Sequence, residues 1–338
     1  MEYMDLREVY ADPAVYMDGA VGLQGWIRNH RRQRSFGFMD FFDGTAMQGI
    51  QIVYDEDTPG FAEIQALRPG AAISACGVLR RSARGGLELH AQSIALEGDC
   101  PEDYPLQPKR HTVEFLRQIA YLRPRTRLFQ AVFRVRSAAA AAIHRYFTDN
   151  GYVYVHTPIL TANDGEGAGN TFTVTTLDPA AGAPDYARDF FGKKTALAVT
   201  GQLEGETFAL AFKKIYTFGP TFRAEDSNTK THAAEFWMIE PEIAFCDLNM
   251  LMDIEEAFLK YVVAAVLEQC GDELAFLDGY TKSGLVEKLR ALAGGGMTRV
   301  SHAEAIEILQ RSGAAFEYPP QQGCDLAREH EKYLTDVH

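Results

Sequence analysis

Between residue 20 and about residue 96, apolar and polar residues alternate in short runs, and this period of two restricts the fold more than any other feature of the chain. Val21, Leu23 and Ile27 open the series, and runs at Phe36 to Phe41, Ile50 to Tyr54, Ile73 to Leu79 and Leu87 to Ile94 continue it. Each half-apolar strand must bury one face, so five of them in fewer than a hundred residues need a shared interior. A small closed barrel supplies it. An all-β OB-type barrel fits best, because it has five strands and offers one face to nucleic acid. Gly98 to Pro108 is rich in proline and acid and has no periodicity, so a first domain is expected at 1–100 and a hinge or linker at 101–120.

Residues 121–338 read as an α+β body. Leu128, Val132, Val135, Ala139, Ile143 and Tyr146 recur at three- and four-residue spacing, which predicts a helix from about Arg125 to Asp149, ended by Asn150-Gly151. A β-rich run from Tyr152 to His156 follows and is stopped by Pro158. Strands are expected at 194–200, 213–223 and 234–245, with helices at about 248–270, 282–293 and 302–312, giving an antiparallel sheet flanked by helices.

Charge limits the partners. With 33 Lys plus Arg against 46 Asp plus Glu the formal net charge is -13, which excludes a uniformly basic coat and leaves any RNA to a local patch. Arg28, Arg31, Arg32 and Arg34 provide one immediately before Phe36-Gly37-Phe38-Met39-Asp40. Basic groups along a phosphate chain, beside rings that stack on splayed bases, make a single-strand binding face. No apolar run approaches the roughly 20 residues of a membrane span, and the acidic start carries no signal pattern, so a cytoplasmic protein without a membrane partner is expected.

Several motifs exclude themselves. The five cysteines are far apart with no C-x-x-C pair, and Leu334 stands where a zincin beginning at His330-Glu331 needs its second histidine, so no protein-held metal is expected. Gly165-x-Gly167-x-Gly169 leads into a β-forming run instead of the helix of a dinucleotide fold. Gly192-Lys193-Lys194-Thr195 has Ala187 in place of the first P-loop glycine. The densest polar constellation is the hairpin Phe222 to Glu242, whose loop of about ten polar residues is longer than stability requires. Period two puts Arg223 and Glu225 on one face of its first strand, and Phe236, Met238 and Glu240 on one face of the return strand. Taken singly, Arg223 suits a cross-strand salt bridge, Phe236 a core and His232 a solvated loop tip. Facing each other, the arginine and the ring suit a phosphate and a base.

Phe222-Arg223-Ala224-Glu225, the polar loop and Glu235-Phe236-Trp237-Met238-Ile239-Glu240-Pro241-Glu242 together resemble motif 2 of the asparaginyl-tRNA synthetases, class IIb. The helix, strand and Pro158 resemble motif 1, the class II dimer element. Tyr104 to His111, Glu114 to Arg117 and Leu122 to Thr126 resemble the hinge and the entry to the catalytic domain; Thr200 to Glu206 resembles the amino-acid pocket strand. Gly323 to Leu326, with Glu329-His330-Glu331, is a further shared segment. The resemblance runs from about residue 20 to the last residue.

It implies a class II catalytic domain that joins asparagine to tRNA(Asn) through an asparaginyl-adenylate, using ATP and Mg²⁺, in a homodimer whose interface includes Pro158. By the same resemblance Arg223 bridges the substrate carboxylate and α-phosphate, His232 lies near the terminal phosphates, and Phe236 is the adenine platform. Glu166 and Gln202 match the residues that hold the substrate ammonium, and Glu225 the acid that accepts from the side-chain amide. Gly205 stands where aspartyl-tRNA synthetases carry a lysine for the substrate carboxylate. In the barrel, Phe38, Gln51 and Arg31 match the positions that stack on and hydrogen-bond the anticodon, with Arg28 as a phosphate neighbour. The third class II motif, a glycine-rich ATP clamp, has no counterpart before His338, and Gly294-Gly295-Gly296 is no substitute. This chain is therefore expected to activate asparagine poorly or not at all. A non-discriminating aspartyl enzyme and a non-catalytic tRNA-binding protein are the alternatives; an amidotransferring asparagine synthetase would lack the barrel.

Overall fold

The alternation of the first hundred residues becomes a closed barrel in the computed structural model, which describes residues 2–83, 85–163, 165, 170–178, 180, 182–226 and 232–337. A strand β1 (Tyr3–Met4) and helices α1 (Leu6–Ala11) and α2 (Pro13–Tyr16) lead into β2 (Ala20–Arg32), β3 (Phe36–Phe42) and β4 (Ile50–Asp55). Helix α3 (Phe61–Ala66), β5 (Ala72–Arg81) and β6 (Leu87–Gly98) complete the domain. The strand order is β1-β2-β3-β4-β6-β5, and β5 pairs back onto β2, so five strands close on themselves with β1 added outside. The β4 to β6 pair is parallel and the other barrel pairs are antiparallel. This is the OB arrangement. Inward residues of successive strands, among them Leu23, Met39, Phe41, Ile52, Ile73 and Leu89, are 0% exposed. That dry interior is what specifies the register, since a slip of one residue would turn every one of them outward.

Two local features shape the barrel's outer surface. Between Ile27 and Asn29 the β2–β3 register shifts, leaving Arg28 as an extra residue in a bulge that turns its side chain away from the strand row. Gly25 permits the close crossing beside it, because a Cβ there would lie 2.7 Å from Cζ of Phe41.

The body carries α4 (Val113–Gln118), α5 (Arg127–Asp149), β7 (Val153–Tyr154), β8 (Leu160–Thr161), β9 (Thr173–Val174) and β10 (Thr195–Leu197). Then come α6 (Gln202–Phe212), β11 (Lys214–Phe222), β12 (Glu235–Ile243), α7 (Leu248–Gln269), α8 (Gly271–Thr281) and α9 (Leu285–Gly294). Thr126 caps α5 by accepting from the Phe129 amide at 3.4 Å, and Asp247 caps α7 by accepting from Met250 at 2.9 Å. One sheet runs β12-β11-β7 and another β8-β10-β9. The amide of Phe222, at the end of β11, donates to the carbonyl of Ala198 at 2.9 Å and so joins the two. Behind β11, the Phe147 ring of α5 stacks on Tyr216 at 4.6 Å, and Tyr146 and Phe258 complete the aromatic layer between sheet and helices.

The segment that resembles a pocket strand is a helix from Gln202 onward, and the spacing does not predict α8 or the helix at Arg328–Asp336. Gln, Leu, Glu and Ala favour helix, and Gly201 with Thr200, whose hydroxyl accepts from the Gln202 amide at 3.0 Å, starts it. By contact the chain divides into Met1–Ala293 and Gly294–His338. The second unit holds α10 (His302–Arg311) and α11 (Arg328–Asp336). Its His330 is 2% exposed, with Nδ1 accepting from the Ala327 amide at 3.0 Å and Nε2 donating to the Tyr318 carbonyl at 2.7 Å. His330 is thus a structural residue.

His30 has a comparable role inside the barrel, its ring lying between the Leu67 carbonyl at 2.9 Å and the Tyr54 hydroxyl at 2.6 Å. In the neutral ring Nδ1–H donates to the Leu67 carbonyl and Nε2 accepts from the Tyr54 hydroxyl. Burial holds His30 below the usual histidine range; the Leu67 carbonyl raises it and Arg32 lowers it further. The unfolded chain then binds the proton first, so this contribution to stability is complete above the ordinary histidine value of about 6.5 and is lost as pH falls below it toward the lower folded value. Urea unfolding midpoints measured from pH 7.5 to 5 should decline, and His30→Gln should flatten that decline while lowering the midpoint at pH 7.5.

Candidate active site

β11 and β12 pair without a register shift from Lys214↔Ile243 to Phe222↔Glu235. Thr217 lies opposite Glu240, Gly219 opposite Met238 and Thr221 opposite Phe236, so these six share one face, while Tyr216 on the other face is buried against α5. The pairing continues one step past β11, where the Arg223 amide donates to Ala234 at 3.0 Å. This brings the Arg223 guanidinium to 5.7 Å from the centre of the Phe236 ring. The cation and the ring expected from the hairpin therefore lie together at the far end of one face of the β11–β12 pair, both half-buried. The Ala224 amide donates to Asn170 at 3.0 Å and ties the preceding loop to the cleft's side.

Further along the same face the cleft has a polar floor. The Glu240 carboxylate accepts from the hydroxyl of Thr200, from the Gly201 amide at 3.1 Å and from the Thr217 hydroxyl at 2.8 Å. Gly201 admits no side chain, since a Cβ would lie 2.6 Å from Oγ1 of Thr157. Glu240 thus fixes the turn from which α6 presents Gln202, whose side chain donates to Glu206 at 3.2 Å. Sequence reasoning gave Glu240 no role; only its place opposite Thr217, which depends on register, reveals one. Gly205 faces Glu242, a Cβ there lying 3.6 Å from its Cγ. Burial pushes the Glu242 carboxyl up, and Glu206 and Glu240 push it further. The floor is therefore acidic, with no lysine at 205.

The other expected residues stand as follows. Glu225 and His232 are exposed beyond the two strand ends, Pro158 is exposed after β7, and Glu166 lies outside the described residues. On the barrel, Arg31 pairs directly with Phe38, its guanidinium 5.4 Å from the ring centre, and donates to Gln51 at 2.8 Å. Phe38 is half-exposed, since Met39 and Phe41 take the inward positions, and Phe36 meets it edge-on at 5.4 Å. Three of the four residues expected on the nucleic-acid face are therefore neighbours. Arg28 is directed elsewhere: its guanidinium sits 4.2 Å over Phe42, pairs with Asp40 at 3.7 Å and donates to Gln130 of α5 at 3.3 Å. The bulge explains the departure. All five cysteines are free, and among the described residues no group of three or more His, Cys, Asp or Glu is placed to hold a metal ion. No helix among them is long and apolar enough to cross a membrane.

Comparison with known proteins agrees with both halves of this arrangement. The family described as "tRNA synthetases class II (D, K and N)" matches residues 112–338, and "OB-fold nucleic acid binding domain" matches residues 21–97. The asparagine-tRNA ligase of Acholeplasma laidlawii is 54% identical over 98% of this chain and 74% of its own length. That of Alkaliphilus oremlandii is 49% identical over 99% of this chain and 74% of its own. The asparaginyl-tRNA synthetase of Pyrococcus horikoshii, solved with asparaginyl-adenylate, superposes with a TM-score of 0.82 at 26% identity, over 99% of this chain and 72% of that one. With a barrel and a hairpin site built as described and a relative identical at more than half of the aligned positions, the chain belongs to the asparagine-tRNA ligase family of class II tRNA synthetases.

Proposed function

We propose that the chain carries the machinery that activates asparagine with ATP and passes it to tRNA(Asn), at the reduced rate expected from its sequence, with Arg223 over Phe236 as the centre of the adenylate site. The observation that carries the reading is their shared end of the β11–β12 hairpin. An oxygen of the asparagine carboxylate bonds to the α-phosphorus while the bond to the β-phosphate oxygen breaks and pyrophosphate leaves. The terminal ribose hydroxyl of the tRNA then attacks the acyl carbon and AMP departs. Two anions must meet in the first step, so positive charge held in place is the chief requirement. Arg223 supplies it between carboxylate and α-phosphate, Phe236 offers a face to adenine, and His232 serves the terminal phosphates. Gln202 and Glu166 hold the ammonium, and Glu225 accepts from the side-chain amide. Mg²⁺, carried by the nucleotide phosphates, would add charge neutralisation there and needs only one or two carboxylates from a protein.

Selection against aspartate follows from the floor. With Glu206, Glu240 and Glu242 clustered and Gly205 in place of a cation, a second substrate carboxylate would meet like charge, whereas an amide brings two donors. The barrel face of Arg31, Phe38 and Gln51 reads the anticodon, with the ring as a stacking platform. For the homodimer, the support is exposed apolar surface around the motif 1 unit: Val153, Tyr154 and Leu160 are 40%, 44% and 45% exposed, beside Pro158.

Pyrophosphate exchange into ATP should depend on asparagine and not on aspartate; exchange supported equally by both would overturn the selection argument. Arg223→Ala should lower that exchange by roughly 10²- to 10³-fold, the effect of removing one donor to a developing anion. Phe38→Ala should leave exchange intact and weaken tRNA binding by about ten-fold or more, a base stack contributing about 1 to 3 kcal/mol. Filter binding with tRNA(Asn) separates the two steps.

A further inference from the structure

A second cationic cleft lies where hinge, barrel and α5 meet. It encloses about 480 Å³, a volume typical of small-ligand sites, and Arg28, Lys109, Arg110, Arg125 and Arg127 line it, against a single carboxylate, Asp40. Asp40 is already paired with Arg28. Among the described residues Lys109, Arg110, Arg125 and Arg127 have no carboxylate partner. In a chain of net charge -13, so many uncompensated cations around one hollow are not a consequence of composition.

The cations are also held in place by rings. Arg110 lies 4.7 Å over Tyr280, Arg127 5.2 Å over Phe276, and Arg125 5.6 Å from Trp26 while donating to the Tyr104 hydroxyl at 3.1 Å. Stacking fixes each guanidinium plane yet leaves in-plane donors for another acceptor. Arg28 Nε is buried without a hydrogen-bond partner. Burial first, and then the Arg127 charge, lower the affinity of Arg28 for its proton, against the opposing pull of Asp40. Each of these strains is relieved by added negative charge.

We infer that this cleft binds a free oligophosphate of diphosphate length or longer, gripped by hinge residues Lys109 and Arg110 and by Arg127 at the start of α5. The site is separate from the Arg223 cleft and does not depend on the adenylate chemistry. A bound oligophosphate would link hinge, body and barrel, adding to the direct bonds from Arg28 to Gln130 and from Arg134 to the Gly44 carbonyl.

Tripolyphosphate is the probe, titrated calorimetrically into the full chain at low salt. Arg223→Ala should retain one binding equivalent, and Arg110→Glu with Arg127→Glu, both at exposed positions, should weaken that equivalent at least ten-fold. Binding that vanishes in Arg223→Ala, or that survives the double reversal unchanged, would overturn the inference. So would a double reversal that weakens tRNA binding alone, since the cleft would then belong to the path of the tRNA. Should the double variant fail to melt cooperatively, Lys109→Glu at the exposed hinge is read the same way, with a drop in tripolyphosphate affinity expected and unchanged affinity contradicting it.

Discussion

The functional arrangement depends on the unbroken antiparallel register between β11 and β12. Nine consecutive pairs, Lys214↔Ile243 through Phe222↔Glu235, fix which side chains face the cleft and which face α5. A slip of one residue would either bury Glu240 against Phe147 or turn Tyr216 out to the opposite face. The aromatic layer behind the sheet opposes that slip, because Phe147 stacked on Tyr216 at 4.6 Å leaves no room for a carboxylate. Packing on one face therefore secures chemistry on the other. The desolvated hydrocarbon behind β11 selects the pairing, and the pairing delivers Arg223 above Phe236.

Much of this was legible in the sequence where a period was strong and burial one-sided. The barrel strands, α5 and the β11–β12 hairpin all follow from alternation or from three- and four-residue spacing, and the structure has them at nearly the expected places. Legibility failed where local and tertiary preferences diverge. Thr200 to Glu206 resembles a strand, yet Gly201 and the Thr200 hydroxyl nucleate α6 there. Glu240 looked like one more alternating residue until register set it against three donors, information that one strand alone does not carry. Arg28 belonged by spacing to the basic patch, but a one-residue bulge redirected it to the body. No single-strand pattern encodes a bulge, because it is a property of two strands.

Charge is distributed to suit two different tasks in a strongly acidic chain. The floor under Gly205 gathers Glu206, Glu240 and Glu242, while the barrel face and the junction cleft gather arginines stacked on rings. Stacking substitutes for carboxylate pairing as the means of holding a guanidinium, so its charge remains available to a ligand. The same side chain in a salt bridge, as half-buried Arg134 with Glu273 at 3.8 Å, is committed to the fold.

The bond from the Phe222 amide to the Ala198 carbonyl is made entirely by the main chain. Side-chain drift at either position leaves both atoms in place, and only a proline at 222 or a change in chain length would remove the donor. The seam between the sheets is thus indifferent to most substitutions, so descendants of this chain can diverge around the cleft in size, polarity and loop length while inheriting the same angle between its walls.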